Sequence, residues 1–100
     1  MSLRLHFHDV PHSDALRSDA ERQVAELEQE FPETSKLEVS FSHDRAEHQT
    51  HVHLTGKEGE FAAHAANLDA KTSLEAAFAR LRRQLRRHHD KRVFEGRRNG

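Results

Sequence analysis

Residues 69–92 read DAKTSLEAAFARLRRQLRRHHDKR, and the spacing of their apolar members decides how the rest of the chain can fold. Leu74, Ala77, Phe78, Leu81, Leu85 and His88 recur at steps of three and four, the period that lays one stripe of a helix against a core. At about 100° per residue, Arg82, Arg86, Arg83, Arg87 and Arg80 follow one another around the side opposite Leu74, Leu81 and Leu85. The segment is therefore an amphipathic helix whose outer face is dense in guanidinium. That group is planar, forked and weakly hydrated, which suits it to the paired oxygens of a phosphate. A plainer reading stands beside this one: arginine is a good helix former, and charged helix faces are commonly just solvated surface.

A single amphipathic stripe needs a partner layer, and the upstream sequence supplies it. Met1 to His8 alternates Leu3, Leu5 and Phe7 with Arg4, His6 and His8, the period of a half-buried strand. Ser13 is a good helix N-cap, and Leu16, Ala20, Val24, Leu27 and Phe31 then recur at helical steps until Pro32, so a first helix is expected over Ser13 to Phe31. Alternation returns at Lys36 to Ser42, at His48 to Thr55 and at Glu60 to Ala66, with a polar connection at Ser42 to Glu47 and a Gly56-Lys57-Glu58-Gly59 turn. Asp69 is placed to cap the second helix. The order is β-α-β-β-β-α. Each strand is apolar on one side only, so both helices must cover the same sheet face, giving a two-layer α+β sandwich with the other face bare. Residues 1–93 form one domain, and the aperiodic residues 94–100 read as a frayed basic tail.

Composition narrows the function. One hundred residues with no cysteine fit one small core and exclude disulfides, thiol catalysis and cysteine-rich zinc sites. No run is long and apolar enough for a membrane span, and MSLRLHFHD lacks the apolar core of a signal peptide, so a cytoplasmic location without membrane contact is expected. The net charge of −1 hides an asymmetry: from Arg80 onward there are nine Lys or Arg against two acids, and before it seven against fifteen. A basic end on an acidic body suits a selective polyanion binder. There is no phosphate-cradling glycine loop, no Gly-x-Ser-x-Gly elbow and no HExxH pair, so neither an enzyme nor a small-molecule substrate or cofactor is expected.

The closing segment Leu81-x-Arg83-Gln84-Leu85-x-Arg87-His88-x-Asp90-Lys91, with Asp69 and the small-apolar run Leu74 to Phe78 before it, resembles the second helix of the ribosome hibernation-promoting factor and ribosome-associated inhibitor family, also called the sigma-54 modulation protein family. Val10, Ala15-Leu16-Arg17 and Leu27-Glu28-Gln29 to Phe31 fit the same family's first half. The resemblance implies a fold like a double-stranded-RNA-binding domain. It also implies binding to small-subunit rRNA near the decoding region, blocking messenger and transfer RNA in stress or stationary phase without chemistry. The matching positions are Arg80, Arg83, Arg87 and Lys91 with Gln84 beside them; Arg82, Arg86 and Arg92 add charge, and Arg17 and Arg22 are the basic residues left on the first helix. The chain looks like the family's short form, and no oligomer is required. It departs from the family in carrying Gln23, Glu26, Glu28 and Glu30 where basic residues are usual, and Lys71 where an aromatic is common.

Two other readings follow from the residues. The acidic first helix can serve a protein-interaction module, or pair Glu26, Glu28 and Glu30 with Arg82, Arg83 and Arg86 of a second copy. Ten histidines are the composition's oddest feature. His6, His8, His51, His53 and His64 all fall on the bare sheet face, where His51, His53 and His64 are candidate zinc or copper ligands. They can equally be a surface that gains charge in mild acid, or exposed imidazoles tolerated on a polar face.

Overall fold

The computed structural model describes residues 2–57 and 59–99, with side chains described through residue 90. Six elements follow in the expected order: β1 (Ser2–Phe7), α1 (Asp14–Glu30), β2 (Thr34–Asp44), β3 (Glu47–Gly56), β4 (Gly59–Asn67) and α2 (Ala70–Asn99). The sheet order is β1-β2-β3-β4. β1 and β2 are parallel, as a strand-helix-strand crossover requires, and the other two pairings are antiparallel hairpins.

The registers place the alternating apolar residues in rows across one face. Leu37 lies opposite Leu3 and Leu54, and Leu54 opposite Phe61; Val39 lies opposite Leu5 and Val52, and Val52 opposite Ala63. Onto these rows pack Ala20, Val24 and Leu27 of α1 and Leu74, Ala77, Phe78, Leu81 and Leu85 of α2, all buried. α1 lies over β1 and β2, and α2 over β3 and β4. This is the expected two-layer α+β sandwich. Phe78 is the largest fully buried side chain.

Local chemistry sets the element ends. The Ser13 hydroxyl accepts from the Leu16 N–H at 3.2 Å, and the Asp69 carboxylate accepts from the Thr72 N–H at 2.9 Å and from its hydroxyl at 2.7 Å, so both helices start on side-chain caps. These bonds, the hydroxyl's first, hold the Asp69 carboxyl below its ordinary pKa. At the β3–β4 turn Gly59 has φ +127°, a conformation that other side chains rarely adopt.

Three boundaries differ from the sequence expectation. β2 and β3 run into each other, paired as far as Asp44 opposite Glu47, so the polar connection expected over Ser42 to Glu47 is a tight hairpin with Arg45 at φ 57°. β2 also begins earlier, at Thr34, whose hydroxyl donates to the Phe31 carbonyl at 3.1 Å. The α2 helix, expected to end at Arg92, continues in backbone to Asn99. The molecule is accordingly elongated, with principal extents of 52 × 23 × 17 Å. Among the described residues no helix is long and apolar enough to cross a membrane.

Candidate nucleic-acid interface

The basic residues of α2 do not form one surface. Because residues four apart share a helix face, they separate into three rows, each with its own environment.

The first row, Arg80 and Gln84, leans over the outer edge of β4. Arg80 Nη1 donates to the His64 carbonyl, and Gln84 Nε2 donates to the Ala62 carbonyl at 2.7 Å. Outward-facing carbonyls on an edge strand are otherwise open to another chain, and these two donors occupy them. The second row, Arg82 and Arg86, faces α1. Arg82 Nη2 donates to Gln23 Oε1 and to Glu26 Oε2, both at 3.0 Å, and Arg86 Nε donates to Glu30 Oε1 at 2.7 Å. The Arg82 side chain is only 23% exposed and that of Arg86 is 62% exposed, so the first is built into the helix contact and the second lies on its rim. The Arg86 bond holds the Glu30 carboxyl below its ordinary pKa, with the charges of Arg86 and Arg82 adding to it, and it raises that of Arg86 in turn.

The third row is Arg83 and Arg87. Both are exposed, and neither has a hydrogen bond or ion pair among the described residues. Between a row turned to β4 and a row turned to α1, this row points away from the sheet. Lys91 stands four residues beyond Arg87, but its side chain and that of Arg92 lie outside those described. On α1, Arg17 and Arg22 are exposed, and Arg22 lies 3.5 Å from Asp19.

Of the three α1 acids considered above for a partner, Glu26 and Glu30 pair with arginines of the same chain. A buried Gln23, 8% exposed, joins them, though its place in an acidic run disguised it; its i, i+4 relation to Leu27 was the available signal. Two further buried polar residues, Thr50 and Ser73, bond to each other at 2.7 Å. Thr50 shares the strand parity of Val52 and Leu54, and Ser73 lies four before Ala77, so both were readable from period alone.

On the bare face the structure separates the three histidines singled out above. His51 lies opposite His64, with ring centres 5.2 Å apart, whereas His53 lies opposite Ala62 and 3.7 Å from Glu60. Among the described residues no group of three or more His, Asp or Glu is arranged to hold a metal ion, so the three-histidine arrangement does not form. His6 and His8 stack 6.0 Å apart on β1. A separate pair, His43 and His48, meets across the β2–β3 hairpin at 4.6 Å.

A four-stranded sheet with both helices on one side is the fold of solved ribosomal subunit interface proteins. The chain is similar to one from Coxiella burnetii, with a TM-score of 0.84 and 18% identity over 90% of this chain and 99% of that one. It is also similar to the Protein Y N-terminal domain from Thermus thermophilus, with a TM-score of 0.79 and 19% identity over 88% and 99% of the two chains. The chain belongs to the Sigma 54 modulation protein / S30EA ribosomal protein family, whose model matches residues 3–93. It is 31% identical over 91 residues to the ribosome hibernation promoting factor of Salmonella typhimurium, covering 91% of this chain and 96% of that protein. The family is one of ribosome-binding proteins without enzymatic activity.

Proposed function

We propose that the chain is a cytoplasmic hibernation factor that binds rRNA of the small ribosomal subunit near the decoding region and silences translation by occupying the path of messenger and transfer RNA. The observation that carries this reading is the outward row of α2. Arg83 and Arg87 are the α2 arginines left without an internal partner among the described residues, and they share one exposed face. Two guanidinium forks spaced one helical turn apart suit consecutive phosphates of an RNA backbone. Arg17 and Arg22 add positive charge from α1, while Arg80, Arg82, Gln84 and Arg86 hold the fold that presents the row. No reaction, cofactor or small-molecule substrate enters this function, and one copy suffices.

The self-association reading is less well supported, because Glu26 and Glu30 already pair with Arg82 and Arg86 in the same chain.

The test is co-sedimentation of the purified protein with small ribosomal subunits across a salt series. The wild type is expected to bind, with affinity falling by about 0.7–0.9 log units per log unit of salt for each phosphate engaged. Arg83→Glu/Arg87→Glu is expected to abolish binding while leaving the thermal midpoint unchanged. Binding that survives this double substitution would move the contact surface off α2.

A further inference from the structure

The bare face of the sheet carries a pair of imidazoles whose placement follows from the edge bonding of β4. In an antiparallel strand the N–H and C=O of one residue point the same way. The His64 carbonyl points outward to Arg80, so His64 makes no ladder bond to β3, and His51 and His64, which are register partners, form a non-hydrogen-bonded pair. Such pairs bring the two backbones and their side chains closest together. Both imidazoles are exposed on the face that neither helix covers. The Arg80 bond fixes the backbone on which one of them is carried.

We propose that His51 and His64 form a two-imidazole site for a divalent transition metal ion, with zinc the best fit. Zinc binds an imidazole nitrogen at about 2.0–2.1 Å, which puts the ring centre roughly 3.2 Å from the ion, since the lone pair points radially from the ring. With a nitrogen of each exposed ring turned to a shared ion, ring centres 5.2 Å apart and tilted by 37° subtend about 110° there, close to the tetrahedral angle zinc adopts. Two protein ligands leave two coordination positions for water, so the ion is held exchangeably. His53 is turned to Glu60 and takes no part. The other cross-strand pair, His43 and His48, is less suited: its ring centres, 4.6 Å apart, subtend about 90° by the same construction, and His48 lies beside the Asp69 carboxylate that caps α2. The sheet separates the His51–His64 site from Arg83 and Arg87, so the site is independent of the ribosome reading.

The experiment is a titration of the full chain with zinc chloride at neutral pH, followed by NMR of the histidine ring signals. The expected result is that the His51 and His64 rings shift together and saturate at one ion. His51→Ala and His64→Ala should each weaken that binding by at least about tenfold, because the second imidazole then loses the effective concentration of the chelate. His53→Ala and His43→Ala/His48→Ala should leave it unchanged. The proposal is overturned if the His51 and His64 rings stay still at several-fold excess zinc, if they move but either single alanine variant keeps wild-type affinity, or if His43→Ala/His48→Ala removes the binding. The replaced rings lie on solvent, so the variants keep the fold, and the wild-type titration alone already decides whether the ion is held there.

Discussion

Glu30→Gln and Glu26→Gln remove the same charge from the same face of α1, one turn apart, yet they should act differently on RNA binding. Glu30 is the acidic partner of Arg86, a side chain 62% exposed on the rim of the helix contact. Replacing the carboxylate by an amide converts a charge-assisted bond into a weaker neutral one, and Arg86 becomes available to a phosphate. Arg82 is held by Gln23 as well as by Glu26 and is only 23% exposed, so losing the Glu26 charge leaves it in place. One extra phosphate contact steepens the dependence of log affinity on log salt by about 0.7–0.9. Between 50 and 200 mM salt, the affinity advantage of Glu30→Gln over Glu26→Gln should therefore shrink by roughly threefold. Because net charge is matched, long-range attraction cancels in the comparison. The assay is small-subunit binding by each variant over that salt range. Equal slopes for the two variants, or a steeper slope for Glu26→Gln, would refute the contrast within this row between an Arg82 built into the helix contact and an Arg86 on its rim.

Two predictions concern stability. The Glu30 carboxyl is held down chiefly by the Arg86 hydrogen bond, so it binds its proton more weakly in the folded than in the unfolded chain. The stability it contributes is complete above the ordinary value of 4.5 and is lost as pH falls through the depressed folded value. Urea midpoints measured from pH 7 to pH 3 should accordingly drop less in Glu30→Gln than in the wild type, and superimposable acid limbs would exclude the effect. The buried hydroxyl pair should be asymmetric. Ser73 donates to the Ala70 carbonyl at 2.8 Å, which leaves Thr50 as the donor to Ser73. Ser73→Ala strands the buried Thr50 hydroxyl and should cost about 1–3 kcal/mol, while Thr50→Val leaves the Ser73 proton bonded and should cost less. In urea denaturation the double variant should lose less than the two single losses together.

All six elements could be found from period alone, because each is amphipathic in one layer of a two-layer fold and its apolar residues repeat without interruption. The ends of β2 and β3 could not. His43, Asp44 and Glu47 are polar, and Arg45-Ala46 contains none of the glycine or asparagine that usually marks a two-residue hairpin, so nothing in the local sequence distinguishes the pairing from a loop. The interface divides in the same way. A helical wheel showed that Arg80 through Arg87 lie off the apolar stripe, but it has no information about what lies across from each one. The partners of Arg82 and Arg86 are 56 to 59 residues away in sequence. Those of Arg80 and Gln84 are backbone carbonyls, which carry no residue signature at all. The same limit applied to the histidines: strand parity put five on one face, and register alone decided which two met across neighbouring strands.

The hydrogen bonds from Arg80 and Gln84 to β4 also make the two ends of the sheet unequal. An open sheet ordinarily has two edges, and a molecule with two usable edges can polymerise, each copy adding a strand at one end and accepting one at the other. Here the central outward carbonyls of β4 are taken by the molecule's own helix, which leaves β1 as the more open edge. With two of its acceptors taken, the β4 edge offers a further strand less than the β1 edge does. Edge-to-edge association of this fold is thereby biased toward a pair joined β1 to β1 about a twofold axis, which closes on itself, and away from the head-to-tail addition that seeds a fibre.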